Sequence, residues 1–257
     1  MSSIFDLSGR TAVVIGGTSG IGRAISSGLA DAGVHTIATG RRRELVDSVC
    51  EEIQSRGVRS LAKSCDVESS DSVNDFRDVV VNEFGGVDIL INAAGRTIRK
   101  PIIDISPEEW TGLQETNVTS ILRTSQAFFE PLKASGRGRI INIASLSSFV
   151  AFHEVAAYSA SKSAVLSLTQ SLGTEWAKFG IRTNAIVPGV FVTDINREAL
   201  NGTARGQEML MRTPLGRFGN VEELVGTALF LASDAVSFIT GTSITVDGGF
   251  LASGVNS

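Results

Sequence analysis

The chain has 257 residues, 42% of them hydrophobic, and a formal net charge of −4 at pH 7. This composition suits one large α/β domain with a buried core and includes no basic stripe of the kind that binds nucleic acid. No apolar run reaches the roughly 18 residues of a membrane span, and the start of the chain, with Asp6 and Arg10, does not resemble a signal peptide. Cys50 and Cys65 have neither metal-ligand nor disulfide spacing. We therefore expect a cytoplasmic protein without a metal site that binds neither nucleic acid nor membranes.

Short runs rich in β-branched residues alternate with helical patterns, which is typical of a parallel sheet covered on both faces. The predicted strands are Thr11–Ile15, His35–Thr39, Arg59–Cys65, Val87–Ile91, Arg139–Ile143, Arg182–Ile186 and Ser243–Val246. No repeat or linker interrupts the pattern, so we predict one doubly wound domain over residues 1–257, with a seven-stranded sheet. The segment at about 194–218 breaks the alternation and is predicted to cover the substrate as a lid.

A glycine-rich turn follows the first predicted strand, with Gly16, Gly20 and Gly22 spaced G-x-x-x-G-x-G. A strand that enters such a turn and continues as a helix is typical of a phosphate site. The first glycine permits the tight turn, the second lets the backbone approach a phosphate, and the third allows close packing of the helix. The alternative is an ordinary glycine-rich turn with no ligand.

Three reactive side chains, Ser145, Tyr158 and Lys162, lie close together in the second half of the sequence. Tyr158 and Lys162 are one helical turn apart and therefore share a helix face. An ammonium beside a phenol favours the phenolate and lowers a pKa that is ordinarily near 10. We expect an acid–base pair, which Ser145 completes by hydrogen-bonding a substrate oxygen. Tyr-x-x-x-Lys by itself is a weak signal, because such pairs also arise by chance on exposed helices.

Together with other motifs in the same order, these residues resemble the short-chain dehydrogenase/reductase family over essentially the whole chain. The motifs are Gly16 to Gly22, Asp66-Val67, Asn92 to Gly95, the set Asn117, Ser145, Tyr158 and Lys162, and Pro188-Gly189 with Thr193. The resemblance implies a Rossmann fold, an oxidoreductase acting on CH-OH with NAD(P), a small-molecule substrate and a homotetramer. Ile15 departs from the family, where many members carry Thr; we expect this to affect local packing only.

The resemblance also implies roles for individual residues. The implied cofactor-binding residues are Gly16, Thr18, Ser19, Gly20, Ile21, Gly22, Arg41, Arg42, Asp66, Val67, Asn92, Ala93, Ala94, Gly95, Tyr158, Lys162, Pro188, Gly189, Phe191 and Thr193. Asp66 would accept from the adenine amine, Lys162 would bind the nicotinamide ribose, and Asn117 would join a water-linked proton relay. The alternatives are a helix-capping role for Asp66 and an exposed helical position for Asn117.

The end of the second predicted strand bears on the choice of cofactor. NAD-binding chains place an acidic residue there for the ribose 2′-hydroxyl, but this chain has Gly40 followed by Arg41, Arg42 and Arg43. Guanidinium groups suit a 2′-phosphate, so NADP(H) is favoured and NAD(H) remains possible. The alternative is a solvated helix start in which Arg43 pairs with Asp47.

Substrate recognition is the least specific part of the pattern. Candidate substrate residues are Arg96, Ser145, Ser147, His153, Tyr158 and Arg197. Their charges and hydroxyls suit a carboxylate with several hydroxyl groups, although solvated loop charges would give the same pattern. Short stretches such as Thr213 to Phe218 resemble the gluconate 5-dehydrogenase branch of the family. The alternatives are a 3-oxoacyl-[acyl-carrier-protein] reductase and a catalytically silent dinucleotide-binding protein.

Overall fold

A computed structural model of the chain describes residues 3–193, 200 and 202–254. Its strands are β1 (Thr11–Ile15), β2 (His35–Thr39), β3 (Ile89–Asn92), β4 (Arg139–Ile143), β5 (Arg182–Pro188) and β6 (Ser243–Val246). They form one parallel sheet in the order β2-β1-β3-β4-β5-β6. The chain moves outward from β1 to β2 and then crosses back to β3, so the direction of winding reverses between β1 and β3. Ligands of open α/β sheets bind at the carboxyl ends of the strands at such a point.

Helices cover both faces of the sheet. They are α1 (Gly20–Asp31), α2 (Arg43–Gln54), α3 (Ser70–Phe84), α4 (Pro107–Gln114), α5 (Ser120–Ala127), α6 (Phe129–Ala134), α7 (Ala156–Glu175), α8 (Ala204–Met211) and α9 (Val225–Ala232). Helices α1 and α9 pack on one face through Ile25, Leu29 and Leu231, whereas α3 packs on the other through Phe76 and Val80. This is a Rossmann-like α/β fold. Within the described ranges no helix is long and apolar enough to span a bilayer.

The prediction of a seventh strand at Arg59–Cys65 is wrong: all seven of these residues are described, and none is in a strand. The segment runs beside β2 with main-chain hydrogen bonds near its two ends, from the Thr36 amide to the Arg59 carbonyl (3.1 Å) and from the Cys65 amide to the Gly40 carbonyl (3.1 Å). Between them, Lys63 offers its carbonyl to the side chain of Thr39 (2.7 Å). Bonds this sparse do not form a ladder, and the sheet has six strands within the described residues.

A buried chain of polar side chains crosses the sheet near the ends of β3 and β4. The Thr124 hydroxyl donates to Asn92 Oδ1 (2.8 Å), Asn92 Nδ2 donates to Asn142 Oδ1 (2.9 Å), and Asn142 Nδ2 donates to Thr169 Oγ1 (2.9 Å). These four residues are at most 3% exposed. We call them the polar chain. It connects α5, which carries Thr124, to α7, which carries Thr169, through two central strands.

The polar chain gives a prediction about stability. Asn142→Leu leaves the Asn92 amide without its acceptor in a site that water does not reach, and a buried polar group without a partner costs about 1–3 kcal/mol. We expect the free energy of unfolding, measured by urea titration, to fall by about 2 kcal/mol. Asn82→Leu, at an exposed position of α3, is the matched control and should change it by less than about 0.5 kcal/mol. Equal effects of the two substitutions would contradict the prediction.

Candidate functional site

The predicted site residues gather at the carboxyl edge of the sheet. The glycine turn follows β1, Ala93 to Gly95 follow β3, Ser145 follows β4, and Pro188 and Gly189 end β5. Parallel strands bring these sequence-distant segments to one edge, where the winding of the sheet reverses. The start of α7, with Tyr158 and Lys162, joins them through contacts with Ser145 and with the end of β4.

The glycine turn has the geometry of an anion cradle. Gly16 has φ of +75°, and a Cβ there would lie 2.5 Å from the Ala94 amide nitrogen. A Cβ at Gly22 would collide with the Gly16 carbonyl, and Gly20 has φ of +51° at the first residue of α1. The residue before it, Ser19, makes no side-chain capping bond. The amino-terminal N–H groups of α1 therefore face the turn without a side-chain cap, which is the arrangement that binds phosphate.

The arginines after β2 have different partners. Arg43 Nε donates to both carboxylate oxygens of Asp47 (2.8 and 3.0 Å), so the alternative interpretation is confirmed for this arginine. Arg41 and Arg42 are exposed, and neither forms an ion pair with a residue in the described part of the chain. Nearby, a Cβ at Gly40 would lie 3.0 Å from the Thr18 hydroxyl. The backbone that leads into Arg41 and Arg42 thus passes beside the glycine turn, and guanidinium groups at this place suit an anion.

The segment after residue 65 contributes Asp66 and Val67. Asp66 is half-buried, and its Oδ1 accepts from the Glu68 amide at 3.1 Å. It does not cap α3, because Ser69 does so by accepting from the Ser72 amide. The Val67 carbonyl accepts from Arg123, so a ligand contact by the Val67 main chain would use its N–H. Asp66 keeps its second carboxylate oxygen as an acceptor for a neighbouring donor.

Tyr158, Ser145 and Lys162 form a compact group. Ser145 accepts hydrogen bonds from the amide (3.2 Å) and the hydroxyl (3.0 Å) of Ser147, and it also hydrogen-bonds Tyr158. Lys162 is 5% exposed; its Nζ donates to the Ile143 carbonyl at 2.7 Å and lies 5.7 Å from the centroid of the Tyr158 ring. The group therefore presents a phenol, a hydroxyl and an amine at the end of β4.

Burial governs the ionisation of this group. It raises the pKa of Tyr158, and the hydrogen bond with Ser145 opposes that rise. Burial also lowers the pKa of Lys162 to about 8. The expectation that Lys162 lowers the Tyr158 pKa is not met by the protein alone, because the Lys162 amine is bonded to the Ile143 carbonyl rather than to the phenol. At neutral pH the phenol keeps its proton.

Asn117 lies in a π-helix over Glu115–Thr119, between α4 and α5. It is fully buried, so the alternative of an exposed helical position is wrong. Its Oδ1 accepts from the Arg96 amide (2.9 Å), and its Nδ2 donates to the Arg96 carbonyl (2.9 Å) and to Ser161 Oγ (3.0 Å). A Cβ at Gly95 would lie 3.4 Å from Asn117 Oδ1 and 3.6 Å from Lys162 Nζ. The missing side chain of Gly95 therefore leaves space beside both groups, and π-helical turns are frequent at functional sites.

Two predicted cofactor residues direct their side chains elsewhere. The Asn92 amide belongs to the polar chain. The Phe191 ring is buried in the core against Gly219, where a Cβ would collide with it. A ligand therefore meets only the main chain of these two residues. Thr193, in contrast, lies over the glycine turn, with its methyl group 3.6 Å from the position a Cβ of Gly20 would take.

The predicted substrate residues differ in their surroundings. Ser147 is buried and donates to Ser145, whereas the His153 side chain is 86% exposed. The Arg96 guanidinium lies against Gly112 of α4, with Nη2 2.7 Å from the position of a Cβ there. Arg197 lies outside the described residues.

Sequence reasoning missed the left-handed backbone of Glu154, whose φ of +66° is the one positive value at a described non-glycine residue. Arg99 Nε donates to its carboxylate (2.8 Å), and the Lys100 amide donates to its carbonyl (2.7 Å). It also missed Arg205 of α8, which donates to the His153 carbonyl (3.1 Å). No local pattern marks these contacts, because they join loops that are far apart in the sequence.

Comparison with known proteins gives full-length matches. A family model described as "Enoyl-(Acyl carrier protein) reductase" matches residues 16–251. Gluconate 5-dehydrogenase of Gluconobacter oxydans and 2-dehydro-3-deoxy-D-gluconate 5-dehydrogenase of Escherichia coli are each 37% identical, over 97% of this chain and 98% of theirs. A crystal structure of a gluconate 5-dehydrogenase from Burkholderia cenocepacia in complex with NADP and tartrate superposes with a TM-score of 0.92 at 36% identity, covering 97% of this chain and 98% of that one.

The low pKa of Lys162 predicts how stability depends on pH. The native chain releases this proton near pH 8, while the unfolded chain holds it to about 10.5. Between these values the unfolded state binds more protons, so stability rises with pH. In chemical denaturation from pH 7 to 10.5, the unfolding free energy of the wild type should rise relative to Lys162→Met by up to about 3 kcal/mol. The loss of the hydrogen bond to the Ile143 carbonyl changes the unfolding free energy of the variant by the same amount at every pH, so it does not affect this slope.

The control for this prediction is Lys178→Met, at an exposed lysine just after α7. Its stability should follow that of the wild type throughout the pH range. If the unfolding free energy of Lys162→Met also ran parallel to that of the wild type across this pH range, the Lys162 amine would not be desolvated in the native protein.

Proposed function

Because the chain belongs to the short-chain dehydrogenase/reductase family, we propose that it is an NADP(H)-dependent oxidoreductase that interconverts a secondary alcohol and a ketone on a sugar acid or related polyol. The observation that carries the proposal is the grouping of Ser145, Tyr158 and Lys162 beside a glycine turn shaped for phosphate. Relatives named for gluconate and for 2-dehydro-3-deoxy-D-gluconate support the substrate class. The solved relative with bound NADP supports the cofactor.

The residues present fit NADP(H), which would supply or accept the hydride. The glycine turn and the start of α1 would hold the pyrophosphate, and Arg41 and Arg42 the 2′-phosphate. Asp66 and the Val67 N–H would meet the adenine. The nicotinamide side would be held by Lys162 and Thr193 and by the main chain of Asn92, Ala93, Ala94, Gly95, Pro188, Gly189 and Phe191. Gly16 leaves no room for a side chain between the turn and Ala94, so the turn keeps the shape that a pyrophosphate requires.

The chain's own residues would perform the proton chemistry. In reduction, Tyr158 donates its proton to the substrate oxygen; in oxidation it takes that proton from the alcohol. Ser145 hydrogen-bonds the same oxygen, and Ser147, which donates to Ser145, fixes its orientation. Lys162 can return a proton toward Tyr158 near neutrality because its pKa is about 8. Asn117 would connect Lys162 to solvent through the space beside Gly95.

We place the substrate between the end of β4 and the loops that precede α4 and α7. Arg96 and His153 belong to these loops, and Arg197 belongs to the segment at 194–218, which we propose acts as a lid within a single domain of residues 1–257. The described part of this segment includes α8, whose Arg205 bonds to the loop of His153. Arginine residues in the loop before α4 and in the proposed lid suit a carboxylate-bearing sugar.

The main prediction concerns activity. We expect the purified enzyme to oxidise NADPH with a keto-sugar acid and much more slowly with acetoacetyl-CoA, as followed at the absorbance of the reduced cofactor. Tyr158→Phe removes only the exchangeable proton, so turnover should fall about 10²- to 10⁴-fold while cofactor binding persists. A preference for acetoacetyl-CoA would instead favour the 3-oxoacyl-thioester reductase. Turnover of Tyr158→Phe within threefold of the wild type would remove Tyr158 from the mechanism.

A second prediction tests the cofactor choice. The double variant Arg41→Ala with Arg42→Ala loses charge-assisted contacts worth about 1.5–3 kcal/mol, so affinity for NADPH should fall roughly ten- to 150-fold. NADH has no 2′-phosphate, and its affinity should hardly change. Fluorescence titration measures both. Arg43→Ala is the matched control, because its guanidinium is already paired with Asp47, and it should keep the preference. If the double variant lost the same factor of affinity for NADPH and for NADH, Arg41 and Arg42 would be solvated residues at a helix start with no role in binding the 2′-phosphate.

We also propose a cytoplasmic homotetramer built from the helices that carry Asn117 and Tyr158 and from the region of β6. Large apolar side chains exposed on one protomer support further association, among them Trp110 on α4 (40%) and Leu122 on α5 (38%). Closed two-fold symmetry is the usual arrangement of such assemblies. Light scattering should give a mass near four chains. A persistent monomer at micromolar concentration would contradict the proposal.

A further inference from the structure

One guanidinium group joins two parts of the proposed site that are far apart in the sequence. Arg123 lies on α5, and its side chain is 18% exposed. Its Nη1 donates to the Val67 carbonyl at 2.5 Å and its Nε to Ser70 Oγ at 3.1 Å, while Nη2 donates to Glu115 Oε1 at 2.5 Å. Two of these partners belong to the segment that would meet the adenine. The third is the first residue of the π-helix.

A second link runs beside the first. The Thr116 hydroxyl donates to Glu68 Oε1 at 2.5 Å. Thr116 is 7% exposed, and its carbonyl accepts from the Ser120 hydroxyl at 2.6 Å. The adenine-side segment, residues 66–70, is therefore bonded to the first two residues of the π-helix through two independent contacts.

The next residue of the π-helix is Asn117. Its amide holds both main-chain groups of Arg96 and the hydroxyl of Ser161, and Ser161 directly precedes Lys162. A displacement at Glu115 would therefore move the Asn117 amide relative to Lys162. Bonded contacts thus run without interruption from the adenine side of the site to the proton-transfer side.

We propose that Arg123 is a positioning residue that makes segment 66–70 and the π-helix one rigid unit, so that cofactor binding at its adenine end and the placement of Asn117 depend on the same contacts. The inference rests on the proposed function. Arginine suits this role because its planar fork donates in several fixed directions, whereas a lysine ammonium is a point charge on a flexible stem. The carboxylate of Glu115 and the carbonyl of Val67 require donors in two different directions at once.

The test is Arg123→Lys in the full chain, which keeps the charge and removes the fork. NADPH affinity is measured by fluorescence without substrate, and turnover is measured at saturating NADPH and substrate. We expect the dissociation constant to rise about 5- to 30-fold and kcat to fall at least fivefold. Arg77→Lys is the control, because among the described residues Arg77 bonds only to Asn74 and Asp78 of its own helix; both quantities should stay within about twofold of wild type.

Glu115→Gln provides the second variant, and it carries the test alone if Arg123→Lys does not fold. It should raise the NADPH dissociation constant and lower kcat, each by a smaller factor than Arg123→Lys does. The double variant should be no worse than Arg123→Lys, since both substitutions break the same contact between Arg123 and Glu115. Unchanged kcat at saturating cofactor, whether or not affinity or thermal stability falls, would overturn the coupling and leave the proposed function intact. A wild type that does not bind NADPH would overturn both.

Discussion

The polar chain holds α5 and α7 on the sheet, next to the proposed proton-transfer residues. Thr124 lies seven residues after Asn117, and Thr169 lies seven residues after Lys162. On α7, seven residues are close to two helical turns, so Thr169 lies on the same stripe of the helix as Lys162. Thr124 lies on α5, which begins directly after the π-helix that carries Asn117. Because each threonine is bonded to an asparagine of a central strand, neither helix can slide along or rotate on the sheet without breaking a buried hydrogen bond. Fully satisfied buried networks of this kind specify a single arrangement.

The local parts of the architecture follow from the sequence. Position 16 has a positive φ and lies in close contact with the backbone after β3, and glycine is the residue that accommodates both conditions. The spacing of Tyr158 and Lys162 likewise places them on one helix face. The π-helix at Glu115–Thr119 was not predictable in this way. Two of its residues, Thr116 and Asn117, bond to Glu68 and Arg96, which are far away in the sequence, and no local pattern indicates such contacts. Arg59–Cys65 shows the converse: its pattern suits a strand, but strand formation depends on a neighbour that pairs along its length.

The ionisation of the Tyr158 and Lys162 pair shows why spacing alone does not give a pKa. Proximity predicts that the ammonium stabilises the phenolate. The buried amine, however, is directed to the Ile143 carbonyl, so desolvation acts on each group separately and opposes the charged form of both. In the proposed mechanism, a phenol that keeps its proton donates it to a ketone oxygen, and a lysine with a pKa of about 8 replaces that proton near neutrality.

The cofactor half and the substrate half of the proposed site differ in the contacts that hold them in place. Around the glycine turn, the cofactor half consists of main chain and closely packed glycines, so a side chain added there meets backbone atoms. Arg41 and Arg42, at the edge of this half, are exposed. The substrate half is held by exposed contacts between loops, such as that of Arg99 with Glu154, which contribute little to stability. Glu154 keeps its left-handed backbone because both its carboxylate and its carbonyl are bonded. These loops can change with small cost to the fold, so a different substrate preference requires no change in the glycine turn or the polar chain.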